Sequence, residues 1–135
     1  MPYHTRSHGP DLKALQQGLI KAIALAKTAN RDIIYLAPAF ANVTNSQLVD
    51  ILGRARTEQF LKKREIMIEG VKFHLETKLK KKAVGPAIVI AVHVSLAQLA
   101  TMMADHRTED FVYVLWSDKE LAEYEIDNPA SVPIS

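Results

Sequence analysis

Residues 87–98 read AIVIAVHVSLAQ, an apolar run that is followed by a serine and, three residues later, by a glutamine. The part from Ala87 to Val94 has the length and the β-branched composition of a strand that is buried on both faces. Ser95 and Gln98 have the spacing of a capping box, in which the hydroxyl accepts from the third residue's N–H group and that residue's side chain reaches back. This stretch therefore predicts a core strand followed directly by a helix.

The same unit occurs twice more in the chain. Each copy is an apolar run followed by a hydroxyl residue and, three residues later, by an amide or carboxylate: Ile33–Ala37 with Thr44 and Gln47, and Phe111–Trp116 with Ser117 and Glu120. Strands that alternate with helices are typically parallel and are covered by helices on both faces. We therefore expect the three apolar runs to be adjacent strands that point the same way.

Two further segments complete the predicted fold. A stripe of apolar residues at helical spacing predicts a helix from about Asp11 to Ala29. The stretch from Thr57 to Lys82 fits both a helical and an alternating pattern, and we predict a helix that ends near Arg64, then a strand or hairpin within Ile66–Thr77.

These patterns predict an α/β fold. It is a single three-layer α/β/α domain with a small, mainly parallel sheet of three to four strands and an N-terminal helix. The domain is expected to span residues 8–126, with residues 1–7 and 127–135 as extended or mobile termini. A chain of 135 residues with a hydrophobic fraction of 48% is long enough to form one soluble globular domain without a metal or disulfide.

Composition excludes several classes of function. The chain has no Cys, which rules out disulfide scaffolds, Cys-based zinc sites and Cys nucleophiles. Met1–Pro10 lacks the apolar segment of a secretory signal, and Ala83–Met103 is too interrupted to span a membrane. No glycine-rich nucleotide motif and no metal-ligand spacing is present, so we predict no cofactor and no metal. The expected location is cytoplasmic, without a membrane partner.

The net charge of +2 conceals two oppositely charged segments. Arg54–Lys82 holds ten basic and four acidic residues, whereas Asp105–Asn128 holds two basic and eight acidic residues. Such segments can be solvated faces, can pair across a homodimer, or can bind nucleic acid through the basic side chains. The candidate nucleic-acid-binding residues are Lys80, Lys81 and Lys82, which could contact phosphates in a salt-dependent manner.

The carboxyl ends of the predicted strands are the expected place for a small-molecule site, because ligands of open parallel sheets bind in the crevice beyond those ends. The loops there carry four candidate residues for binding a small anionic ligand: Phe40, Asn42, Thr44 and Trp116. The alternative interpretation is that the hydroxyls only cap helices and that the aromatic residues only pack.

His93 is the best candidate for catalysis because it follows an otherwise apolar strand. Its imidazole could act as a general base, with Asp118 orienting it and with Ser95 or Ser117 as the nucleophile. No Gly-x-Ser-x-Gly elbow accompanies these residues. The alternative is a histidine that is only packed and hydrogen-bonded.

The opening helix and the run Ile33–Phe40, with the Asn-containing loop that follows, resemble the first helix and strand of phospholipase D-like domains over about a third of the chain. The His-x-Lys catalytic motif of that family is absent, since His74 is followed by Leu75 and Glu76 and His93 by Val94 and Ser95. The resemblance therefore does not imply the activity of the family.

The sequence thus predicts a binding or interaction module with a small-anion or partner site at the carboxyl ends of the strands. Two alternatives remain open: a small hydrolase that uses His93 with Ser95 or Ser117, and a nucleic-acid-associated protein that uses Arg54–Lys82.

Overall fold

The computed structural model describes residues 2–6, 12–40, 47–77, 86–104, 108–115 and 117–134. Its seven strands are β1 Tyr3–His4, β2 Ile33–Leu36, β3 Glu65–Ile68, β4 Val71–Glu76, β5 Ala87–Val92, β6 Thr108–Val114 and β7 Val132–Pro133. Its five helices are α1 Leu12–Ala29, α2 Leu48–Leu52, α3 Arg54–Lys63, α4 Leu96–Ala104 and α5 Asp118–Asp127. None of these helices combines the length and the apolar character that a membrane crossing requires.

The strands form one sheet in the order β3-β4-β2-β5-β6-β1-β7. Every neighbouring pair is parallel except β3 and β4, which are antiparallel. The three strands that the capping-box units predicted, β2, β5 and β6, are adjacent and parallel at the centre of the sheet, with Ile90 opposite both Tyr35 and Val112. This part of the prediction is confirmed.

The fold class is α/β and the sheet is mostly parallel, but the predicted number of three to four strands is wrong. The sheet has seven strands, and two of them, β1 and β7, are only two residues long. Strands of that length are too short to show an alternating pattern. The β1 segment is bonded to β6 by Thr5 N, which donates to Tyr113 O, and β7 is bonded to the β1 segment from Val132 N to Pro2 O and from Ile134 N to His4 O.

The ambiguous stretch after Thr57 contains a helix and then a hairpin, as predicted. Helix α3 ends at Lys63, and Arg64 follows in the left-handed conformation with φ 63°. Strands β3 and β4 are joined by Glu69 and Gly70, both with positive φ, as tight hairpin turns require.

Two apolar cores lie on opposite faces of the sheet. One core contains buried residues of α1, α2 and α3, among them Leu15, Leu48 and Phe60. The other contains buried residues of α4 and α5, among them Leu99 and Tyr124. Because alternate residues of the central strands contribute to each core, the helices form two layers with the sheet between them.

Gly18 permits α1 to lie close against the sheet. A β-carbon at this position would stand 2.7 Å from Val114 Cγ2, which is closer than real β-carbons approach their neighbours. Val114 is fully buried in β6 and is β-branched, so its side chain has little freedom to move away.

We expect Gly18→Ala to destabilise the protein by about 1 kcal/mol, although alanine favours helices over glycine by about 1 kcal/mol. Forcing a methyl group into the packed contact costs about 1–3 kcal/mol and outweighs that gain. Urea unfolding measures the difference, with Gln16→Ala at an exposed position of the same helix as the control. A Gly18→Ala variant more stable than the parent would contradict the close contact.

Both outer edges of the sheet carry a residue that hinders the addition of another strand. Next to β3, Arg64 O accepts from Leu75 N of β4. In an antiparallel ladder only alternate residues direct their backbone N–H and C=O groups toward the partner strand. Met67 lies three residues after Arg64, so its backbone groups point away from β4. Arg56 Nη2 donates to that Met67 carbonyl at 2.6 Å. On β7, the inward N–H groups are those of Val132 and Ile134, and Pro133 between them has no N–H to offer.

Candidate functional site

Two of the three predicted capping boxes lie within the described residues. Ser95 Oγ accepts from Gln98 N at 3.2 Å, and Gln98 Oε1 accepts from Ser95 N at 3.2 Å, which completes the box at the start of α4. Ser117 Oγ accepts from Glu120 N at 3.3 Å at the start of α5. Both hydroxyls that were considered as nucleophiles therefore act as helix caps.

His93 lies directly after β5, at the carboxyl end of the central strand, and is half-buried. Its backbone N–H donates to Val114 O at 2.9 Å, and its φ of 57° is in the left-handed region. Among the described residues, the other non-glycine residues with positive φ follow a helix or form the hairpin turn: Asn30, Arg64 and Glu69. His93 thus has an uncommon backbone conformation that neither a helix end nor a tight hairpin turn explains.

The remaining predicted site residues have different outcomes. Phe40 is half-buried, and the guanidinium of Arg64 lies over its ring at 3.6 Å from the centroid. Most of the others lie outside the described residues: Asn42, Thr44, Lys80, Lys81, Lys82, Trp116 and the side chain of Asp118. The prediction of a ligand site or a hydrolytic set around His93 therefore stays a prediction.

A groove of about 370 Å³ runs along the outer edge of β3, between that strand and α3. Its lining residues come from both elements and from β4: Arg56, Gln59, Lys63, Glu65, Ile66, Met67 and Lys72. The three from α3 are spaced by three and four residues and therefore share one face of the helix. Three cationic side chains and one carboxylate give this basic groove a positive charge.

Two contacts shape the basic groove from inside. Arg56 bonds to the Met67 carbonyl, and Lys72 Nζ lies 3.9 Å from Glu65 Oε2. The side chain of Met67 is 52% exposed. The groove thus presents one apolar side chain among cations.

The basic segment places its phenylalanines in the core and not on its surface. Phe60 is 1% exposed and Phe73 is 0% exposed. Neither ring is available to stack on a base, which is the contact that single-stranded nucleic acid usually makes with such proteins.

A buried polar network joins the two ends of the described chain. The His4 ring bonds to Ser131 Oγ through Nδ1 at 2.8 Å and to Glu125 Oε2 through Nε2 at 3.0 Å. Since the Glu125 carboxylate accepts, Nε2 carries the proton and Nδ1 accepts from Ser131. The Tyr124 hydroxyl in turn donates to Ser131 Oγ at 2.8 Å.

This network has the hydroxyl, imidazole and carboxylate of a hydrolytic triad, but its surroundings indicate a structural role. His4 is 1% exposed and Tyr124 is 0% exposed, and Ser131 Oγ has both as hydrogen-bond partners. A nucleophile needs space for a substrate beside the hydroxyl. We therefore interpret the network as the contact that connects β1, α5 and the segment before β7.

Within the ranges that the structure describes, no three His, Asp or Glu residues cluster as metal ligands would. The sequence did point to the basic segment, but not to the groove, because the groove depends on the packing of α3 against β3. The helical spacing of Arg56, Gln59 and Lys63 is the one local signal that could have shown a shared face.

Glu125 predicts a pH dependence of stability. The hydrogen bond from His4, helped by Arg6, holds the pKa of Glu125 below its ordinary value of 4.5. A lowered folded-state pKa contributes stability above the unfolded pKa, and this contribution is lost as pH falls through the folded value. We therefore expect the free energy of unfolding to fall below about pH 4.5.

Glu125→Gln is expected to make that acid-induced decline shallower, as measured by urea unfolding at a series of pH values. Glu123→Gln, at an exposed position of the same helix, serves as the control and should leave the decline unchanged. Equal pH profiles for the parent and Glu125→Gln would contradict the assignment.

Comparison with known proteins adds no relative. No family model matches the chain, and the searches of curated proteins and of solved structures found no match. The resemblance of the first helix and strand to phospholipase D-like domains therefore gains no support from a family model.

Proposed function

We propose that this protein is an interaction module that binds an acidic protein surface in the basic groove. The observation that carries the proposal is the composition of the groove: Arg56, Lys63 and Lys72 surround the exposed Met67. Protein interfaces typically combine an apolar contact at the centre with polar or charged groups at the rim. The proposed site differs from the crevice that the sequence predicted, because the basic groove gathers cations of α3 and β4 around an exposed apolar side chain.

The mode of binding follows from the blocked edge of β3. Arg56 already occupies the outward Met67 carbonyl, so a partner strand would have to displace that hydrogen bond. Contact through side chains is therefore favoured over addition of a strand.

Nucleic acid is the less favoured ligand of the same groove. The buried Phe60 and Phe73 offer no ring for base stacking, and the exposed Met67 gives an acidic protein surface an apolar contact that a phosphate backbone lacks.

The crevice around His93 remains a second candidate, favoured by its left-handed backbone, because strained conformations concentrate at functional sites. In this alternative the crevice binds a small anion or performs hydrolysis with Ser95 or Ser117. His93→Gly keeps the backbone conformation and removes the imidazole, so it should abolish binding of inorganic phosphate or hydrolysis of a nitrophenyl ester. Phosphate binding and ester hydrolysis equal to those of the parent would remove this candidate.

The basic groove is tested with a short, labelled, Glu-rich peptide that carries a central isoleucine. We expect Lys63→Glu to weaken peptide binding by about tenfold or more, since charge reversal replaces attraction with repulsion. Lys62→Glu is the matched control, because Lys62 is the neighbouring exposed lysine of α3 but does not line the groove. Equal losses in both variants, or tighter binding of a short DNA duplex than of the peptide, would contradict the proposal.

A further inference from the structure

We infer that the acidic surface bound in the basic groove belongs to a second copy of this chain, so that molecules associate head to tail. The acidic surface is the exposed side of α5, formed by Glu123, Ile126 and Asp127. These residues are three and four positions apart and share one face of the helix. The inference rests on the proposed function of the groove and names its partner.

The basic groove and the acidic surface of α5 are too far apart to attract each other within one molecule. The basic groove lies beside β3 at one edge of the sheet, whereas α5 contacts β1 and β6 near the other edge, through the His4–Glu125 hydrogen bond and the Tyr113–Tyr124 ring contact. Seven strands at about 4.8 Å spacing place the two edges about 30 Å apart. This separation exceeds the screening length of about 8 Å at physiological salt, so each surface is left for another molecule.

Each surface also has an exposed apolar side chain at its centre. Met67 in the groove is 52% exposed, and Ile126 on α5 is 78% exposed, the largest fraction among the large apolar residues of the described chain. Cations surround the first, and Glu123 and Asp127 flank the second. Docking would bury both side chains and place opposite charges around them, which is the arrangement that favours association.

The arrangement of charge also decides the symmetry. A two-fold dimer through like surfaces would place cations opposite cations or carboxylates opposite carboxylates. Because the basic groove and the α5 surface lie near opposite edges of the sheet, one contact between two molecules leaves a basic surface on one and an acidic surface on the other, so association continues into larger species or closes a ring. Since both sheet edges are hindered, these contacts do not extend the sheet.

The decisive experiment is sedimentation velocity over a concentration series, with two charge-reversed variants measured alone and mixed. One variant carries Lys63→Glu and Lys72→Glu, and the other carries Glu123→Lys and Asp127→Lys. The parent should form species larger than a dimer in low salt. Each variant alone should associate more weakly than the parent by a factor of about ten or more. Their mixture should regain association into species larger than a dimer, because the intact groove of one variant fits the intact α5 surface of the other and the two reversed surfaces also carry opposite charges.

A matched pair tests the apolar contact. Ile126→Ser should weaken self-association of the parent, whereas Ile20→Ser should not, although Ile20 is 69% exposed on α1. Circular dichroism of every variant verifies that it is folded.

The outcomes separate this inference from the proposed function. A parent that stays monomeric, or a variant mixture that does not regain association, overturns head-to-tail association. If the Glu-rich peptide still binds the parent and not Lys63→Glu, the groove keeps its proposed function with another acidic partner. If the peptide does not bind and the parent is monomeric, both proposals fall.

Discussion

Replacing Phe60 by alanine is expected to lower the free energy of unfolding by about 4 kcal/mol, within the usual range for buried phenylalanine. Phe60 is 1% exposed and meets the ring of Tyr35 edge-on, with centroids 5.8 Å apart and planes at 84°. It is one of two buried residues of α3, the other being Thr57. Of the other side chains of this helix, the half-buried Leu61 also packs against the core, and most of the rest are exposed.

The same change should also disturb the shape of the basic groove, because α3 forms one of its walls. We expect Phe60→Ala to weaken binding of the Glu-rich peptide even under conditions where the protein remains folded. Phe60→Leu keeps most of the apolar volume and should cost about 1.5 kcal/mol or less. Urea unfolding and peptide titration of both variants measure these effects, and a loss below about 1 kcal/mol for Phe60→Ala would contradict this account.

Replacing His4 by alanine is the second large effect, with an expected loss of about 3 kcal/mol. The imidazole is buried and makes hydrogen bonds to Ser131 and Glu125, while its ring lies 5.1 Å from the ring of Tyr124. Its removal leaves a cavity and takes a hydrogen-bond partner from each of two side chains. Buried polar groups that lose their partner cost about 1–3 kcal/mol, and the lost packing adds to this.

Tyr124→Phe is the graded control for this network, since it removes only the hydroxyl that donates to Ser131. It should cost about 1 kcal/mol, the usual contribution of one hydrogen bond. Hydrogen exchange should show that His4→Ala exposes the amides of Val132 and Ile134, which donate to the carbonyls of Pro2 and His4. Equal stability of His4→Ala and the parent would show that the network does not connect the two ends.

Prediction from sequence worked where the signal was local. The strand and the cap of α4 lie within twelve residues, and both the apolar run and the Ser95–Gln98 hydrogen bonds follow from spacing alone. The stretch after Arg64 was harder, because its alternation around Gly70 also fits a helical stripe, and a strand or hairpin was predicted there because a sheet of only three strands would be small. The periods of the helix and the strand decide which residues are buried and which near neighbours form hydrogen bonds. These periods can be recognised in the sequence itself.

Prediction failed where two residues are distant in sequence and meet only in the folded chain. His4 and Ser131 are 127 positions apart, and no pattern around either residue indicates that they bond. Strands β1 and β7 are too short to show alternation, and they exist because neighbouring strands satisfy their backbone groups.

The sequence by itself determined the α/β class, the adjacent parallel strands β2, β5 and β6, and the separation of charge into two segments. Only the tertiary structure decided that the sheet has seven strands, that Met67 is exposed within a groove, and that the basic groove and α5 lie near opposite edges. The physical reason is that periodicity specifies which face of an element is apolar, whereas strand order and the packing of α3 on β3 depend on contacts between distant segments.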